Sequence, residues 1–84
     1  MNDSVNKFSG LRVNDVIVFD YPDSKTGEPK LRRGTVVAIG ENQKTEVPYV
    51  KIENKAIEIL HGRPASTFSN DKVIGDVQVV SFGQ

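Results

Sequence analysis

Residues 16–21 read Val-Ile-Val-Phe-Asp-Tyr, with apolar side chains on both faces at the start and on one face towards the end. Ile17, Phe19 and Tyr21 share one side of an extended chain, and Val16, Val18 and Asp20 the other, because successive strand side chains alternate. The pattern predicts a strand covered on both sides at one end, as in a small curved barrel. Thr35-Val36-Val37-Ala38-Ile39 predicts its partner, since β-branched residues fit a pleated, half-buried surface. The polar stretch from Pro22 to Lys30 reads as a hairpin tip. Pro22 and Pro29 bracket it, Gly27 supplies freedom to turn, and it is expected to be mobile. Gly34, inside the second strand, predicts a bulge or sharp bend.

Upstream, residues 1–10 are polar with only Val5 and Phe8 as anchors, and read as a flexible arm. Asn14-Asp15 has the short polar side chains that close a tight turn. Downstream, Gly40 to Lys44 is a second polar turn. Val47 to Glu53 then alternates, with Val50 and Ile52 on one face and Tyr49, Lys51 and Glu53 on the other. Pro48 places this third strand at an edge or marks its start. Ala56 to Leu60 fits either a short fourth strand or one helical turn, and periodicity does not decide between them. His61-Gly62-Arg63-Pro64 breaks the chain, and Ala65 to Asp71 is a small-residue connection whose Phe68 plugs one end of the core. A short helical turn capped by Ser69 or Asn70 precedes Gly75. Val77 to Phe82 forms the last strand, with Val77 and Val79 opposed to Val80 and Phe82.

Four to five short strands joined by turns rich in Gly, Pro, Asn and Asp predict a mainly all-β fold, a small, partly open β-barrel with one short helical turn. A Src-homology-3-like barrel is the first choice and a five-stranded oligonucleotide-binding barrel the second. With 84 residues the chain has room for one domain, residues 11–84, which buries about 60–65% of the unfolded surface. No internal repeat, linker or second domain is read.

Hydrophobic residues at 37% suffice for a core, and 11 basic residues balance 11 acidic ones. No global field draws the chain to a polyanion, so nucleic-acid binding would need a local patch. The lack of cysteine excludes disulfides, thiolate zinc sites and a thiol nucleophile. No run approaches the ~20 apolar residues of a membrane span, and a cytoplasmic protein is expected. Asp15, Asp20 and Asp23 lack metal-ligand spacing. No P-loop, dinucleotide fingerprint or serine elbow is present, so neither a metal nor another cofactor is expected.

Lys25, Lys30, Arg32 and Arg33 form the densest basic cluster and suit phosphate contacts at a loop mouth. The plainer reading is a solvated strand end neutralised by Asp20, Asp23 and Glu28. Tyr21 and Tyr49 suit stacking beside the cluster, or rim packing, and Lys51 joins them on the wet face of the third strand. His61 is the one side chain with an ordinary pKa near neutrality, a candidate acid or base against an incidental turn residue.

The hairpin resembles that of the PemK and MazF toxin family. The similarity runs through Asp15, Val16 to Val18, Asp20, Pro22, Lys25, Gly27, Glu28, Arg33, Val36 and Val37, in the family's order and at near-equal spacing. Val50-Lys51-Ile52 and Asp71 to Gly75 look like later family segments. The resemblance implies a barrel of this kind and an RNA-facing hairpin. It departs where the family has Gly and this chain has Asn14, and where the family has Pro and this chain has Gly34. Family members cleave RNA with the strand-entry Arg and a later Thr, and the matching position here is Ala56. The chain is also shorter than those toxins and lacks their closing helix.

Two functions follow. The first is a non-catalytic binding module that engages a protein partner or nucleic acid through the 21–33 hairpin tip and the face carrying Arg33, Tyr49 and Lys51. The alternative is a minimal PemK/MazF-like endoribonuclease, with Arg33 stabilising phosphorane charge and His61 moving the proton. An exposed edge at the third strand offers a route to a homodimer. A lone barrel of this kind suits a phage or mobile-element genome.

Overall fold

The computed structural model describes residues 6–54 and 65–83. Five antiparallel strands form one sheet in the order β4-β3-β2-β1-β5. They are β1 Val16–Pro22, β2 Pro29–Glu41, β3 Pro48–Glu53, β4 Ser66–Ser69 and β5 Ile74–Ser81, with a single 3-10 turn, Asn70–Lys72, before β5. The thirteen-residue β2 is shared between two neighbours: its first half pairs with β1 and its second half with β3. The change of partner occurs at Thr35, which pairs with both Val16 and Glu53, and a register shift between Val36 and Ala38 makes Val37 a bulge just beyond it. Two further shifts lie in the β1–β5 pairing. These kinks interrupt the ladder of what is a small, mostly β fold built on one antiparallel sheet.

The core is Phe8, Ile17, Phe19, Val36, Val50, Ile52, Phe68 and Val73, with Leu11, Tyr21, Val77 and Val79 packed against it. The buried face of β1 is therefore the Ile17, Phe19 and Tyr21 face, and that of β3 the Val50 and Ile52 face, as alternation predicts. Phe68 stands edge-on to Phe19 and Tyr21, with ring centroids 5.2 and 4.8 Å apart. Pro48 opens β3, where its missing N–H costs nothing to the ladder.

Several expectations are corrected. Residues 6–10 are docked: Phe8 is 2% exposed, and its ring meets Phe19 at 6.3 Å. The amide of Lys7 donates to Asn70 Oδ1 at 2.7 Å, and Lys7 Nζ to the Val73 carbonyl at 2.9 Å. The bulge lies at Val37 and not at Gly34, which stays in regular register opposite Ile17. Gly34 is required by crowding, since a Cβ there would lie 2.8 Å from the Glu53 carbonyl oxygen. The third strand is no edge, because β4 pairs along it. Among the described residues the sheet edges belong to β4 and β5. Residues 66–69, expected as connection, form β4 itself. The 3-10 turn follows Ser69, but no side-chain bond caps it. The segment from Ala56 to Leu60 lies outside the described residues.

The tip of the first hairpin is tied by its own side chains. Asp23 Oδ1 accepts from the amides of Lys25 at 2.7 Å and Thr26 at 3.2 Å, and Glu28 N donates to Thr26 Oγ1. The second turn repeats the arrangement: Asn42 Oδ1 accepts from the amides of Lys44 and Thr45, and Val47 N donates to Thr45 Oγ1. In both, the residue after the Thr has positive φ, +76° at Gly27 and +60° at Glu46. An Asp/Asn-x-Lys-Thr unit thus builds both turns. The repeat was missed in the sequence because it spans four residues only.

Candidate binding groove at the root of the first hairpin

On β2 the even-numbered residues before the bulge face inward. Phe19 stands opposite Arg32 and Tyr21 opposite Lys30, so these cations share the face of the core aromatics. Arg32 is partly buried there and packs its guanidinium on rings. Its Cζ lies 5.6 Å from the Phe68 centroid and 5.9 Å from that of Tyr21, within reach of the attraction between a cation and a ring face. Nη2 donates to the Pro22 carbonyl at 3.4 Å. Nε is buried, and no acceptor contacts it among the described residues.

Beside this guanidinium is a groove of about 160 Å3. Lys30, Arg32 and Arg33 supply its charge, and Leu31, Ile52 and Phe68 its apolar wall, with Asn54 and Ser66 at the rim. No carboxylate lines it among the described residues. The volume is below the ~300–1,000 Å3 of pockets that enclose small-molecule ligands. It suits one or two side chains of a larger partner.

The acidic group paired with Lys30 is engaged elsewhere. Asp23 has its carboxyl held below the ordinary carboxylate range, first by the amides of Lys25 and Thr26, against some desolvation, and then by the charges of Lys30 and Arg32. Its contact with Lys30 Nζ is long, at 4.0 Å, and the lysine side chain is 61% exposed. Such an exposed pair holds a lysine weakly, so Lys30 is available to a ligand.

The expected site residues divide into separate groups. Lys30, Arg32 and Arg33 line the groove, Tyr21 stands behind it against Arg32 and Phe68, and Lys25 is exposed on the tip and does not line it. Tyr49 and Lys51 lie opposite Gly40 and Ala38, further along β2 and beyond the bulge. At the strand rise of ~3.3 Å per residue, the five residues from Arg33 to Ala38 remove Lys51 by about 16 Å. Arg33, Lys51 and Tyr49 are therefore strung out along β2 and β3 rather than gathered at the groove. His61 lies outside the described residues.

Neither tyrosine is a free stacking platform. Tyr21 is covered by Arg32, and its hydroxyl accepts from the Ser69 amide at 3.1 Å. Tyr49 lies on Gly40, where an added Cβ would sit 2.7 Å from its Cζ. Sequence reasoning missed Phe68 as a wall of the site and ranked Arg33 above Arg32. The signal for Arg32 was parity: it falls in step with Gly34 and Val36, the inward positions. Asn54 was also missed, and its Nδ2 donates to the Arg33 carbonyl at 2.8 Å, fixing the end of β3 to β2 beside the groove.

Among the described residues no helix is long and apolar enough to cross a membrane. Comparison with known proteins yields no family model, no curated protein and no solved structure that matches the chain. The likeness to the PemK and MazF toxins thus rests on the residues quoted above.

Proposed function

We propose that this chain is a small non-catalytic binding module, which engages a protein partner or nucleic acid through the root and tip of the 21–33 hairpin. The observation that supports it best is the Arg32 guanidinium, packed against Tyr21 and Phe68 at a groove whose charged residues, among those described, are all cationic. Guanidinium and ammonium groups keep their charge through neutral pH. They hold an anion; they do not shuttle a proton. A cytoplasmic setting belongs to the same reading, in keeping with a chain that uses no cysteine.

The alternative, a minimal PemK/MazF-like endoribonuclease, draws on the quoted resemblance and on Arg33 at the groove. One gel separates the two. Labelled single-stranded RNA and labelled polyglutamate are each incubated with the protein at low and moderate salt. A salt-sensitive shift of either probe without RNA cleavage supports the binding module. Cleavage abolished by Arg33→Ala makes the chain a nuclease, and the absence of both shift and cleavage overturns both readings.

A further inference from the structure

We infer that the ligand of this groove is an extended acidic segment of a partner protein, presenting an aspartate or glutamate beside an apolar side chain. The inference rests on the binding-module reading and narrows it. Charge complementarity gives the first half: Lys30, Arg32 and Arg33 line the groove, and no acidic residue does so among the described residues. Within the groove the guanidinium of Arg32 is the best-placed group for a carboxylate, because its ring contacts hold the planar fork in one orientation. Among the described residues Nη2 makes one long bond, leaving donor capacity on the terminal nitrogens. The apolar half follows from Leu31, which is 65% exposed, and from Ile52 and Phe68 beside it.

The same geometry argues against single-stranded nucleic acid. Binders of that kind stack bases on open aromatic faces. Here the Phe68 and Tyr21 rings are engaged by each other and by Arg32, and Phe68 is only 8% exposed. A phosphate would find the cations, but the base attached to it would find no platform. An acidic side chain with an apolar neighbour uses both kinds of wall.

The test is a fluorescence-anisotropy titration with three labelled probes. One is a short peptide alternating Glu and Val, the second has Gln in place of each Glu, and the third is single-stranded RNA of equal charge. The Glu-Val peptide is expected to bind about tenfold or more tighter than the Gln-Val peptide, as charged hydrogen bonds imply, and tighter than the RNA. Arg32→Lys removes most of that preference and Lys44→Gln, on the second turn, leaves it intact; the amide spectrum of each variant verifies its fold. Equal binding of the Glu and Gln peptides contradicts the inference. Preference for RNA contradicts it as well, while leaving the binding module standing. If no probe binds, both fall.

Discussion

The amide of Gly83 donates to Asp15 Oδ1 at 2.7 Å, tying the end of β5 to the turn before β1 across 68 residues of sequence. The other oxygen accepts from the Arg12 amide at 2.9 Å, and Asp15 is 2% exposed. One carboxylate thus closes a local turn and anchors the last strand beside the first. Gly83 is suited to the approach, since a Cβ there would lie 2.6 Å from the Asn14 backbone.

Acid should loosen this latch. The Gly83 and Arg12 amides hold the Asp15 carboxyl below its ordinary range, against the opposing effect of burial and with help from the Arg12 charge. A carboxyl with a lowered folded-state pKa contributes stability that is full above its unfolded value, near ~3.9, and lost as pH falls through the folded value. Asp15→Asn is expected to lower Tm at neutral pH by about 5–10 °C. The gap to wild type should shrink as both are melted at falling pH. Asp23 also has a lowered carboxyl, so some acid sensitivity persists in the variant. A constant gap down to about pH 2 would contradict the role given to Asp15.

Arg32 should separate stability from binding. Among the described residues its Nε is buried without an acceptor, and an unmade buried hydrogen bond costs about 1–3 kcal/mol. Arg32→Met keeps the stem against Tyr21 and Phe68 and removes that cost, offset by the lost cation–ring attraction of about 0.5–2 kcal/mol. Thermal melts should show Tm unchanged or raised, while binding of an acidic probe is abolished. A large fall in Tm would mark Arg32 as structural.

Phe8 should behave as a core residue although it lies within the polar first ten positions of the chain. Phe8→Ala is expected to cost about 3–5 kcal/mol, a large share of the about 5–15 kcal/mol that holds a domain together. Denaturant unfolding measures it directly. A change below about 0.5 kcal/mol, the usual range for surface positions, would restore the picture of a flexible arm.

Glu46 should be improvable. It occupies φ +60° where the equivalent turn has Gly27 at +76°, and the left-handed region costs an ordinary residue roughly 1–2 kcal/mol. Glu46→Gly is expected to raise Tm by about 4–8 °C. The reverse change, Gly27→Glu, should lower it by a similar amount. Melts of the two variants in opposite directions would establish that the turns are equivalent.

The β pattern was legible because it is local. Alternation in Val16 to Tyr21 and in Val47 to Glu53 identified the buried faces, and Pro48 was read as a possible strand start. What escaped depends on partners distant in sequence. Gly34 was read as a bulge, but its reason is the Glu53 carbonyl brought against it by β3. Lys7 docks through Asn70 and Val73, more than sixty residues away, and Phe8 beside it packs on Phe19. The site was half legible: charge density found Lys30, Arg32 and Arg33, but clustering on the chain could not show how far along β2 and β3 Tyr49 and Lys51 lie from them. The aromatic support of Arg32 comes from Phe68, on a strand that composition alone read as a connection.

The most direct test of the groove is a two-dimensional amide NMR titration of the 15N-labelled protein with the Glu-Val peptide. Shifts should centre on Leu31, Arg32, Arg33, Asn54, Ser66 and Phe68, and grow along one saturating curve. Shifts centred on Tyr49 and Lys51, or on Val80 and Phe82, with the groove unmoved, would contradict it, as would a spectrum that does not change.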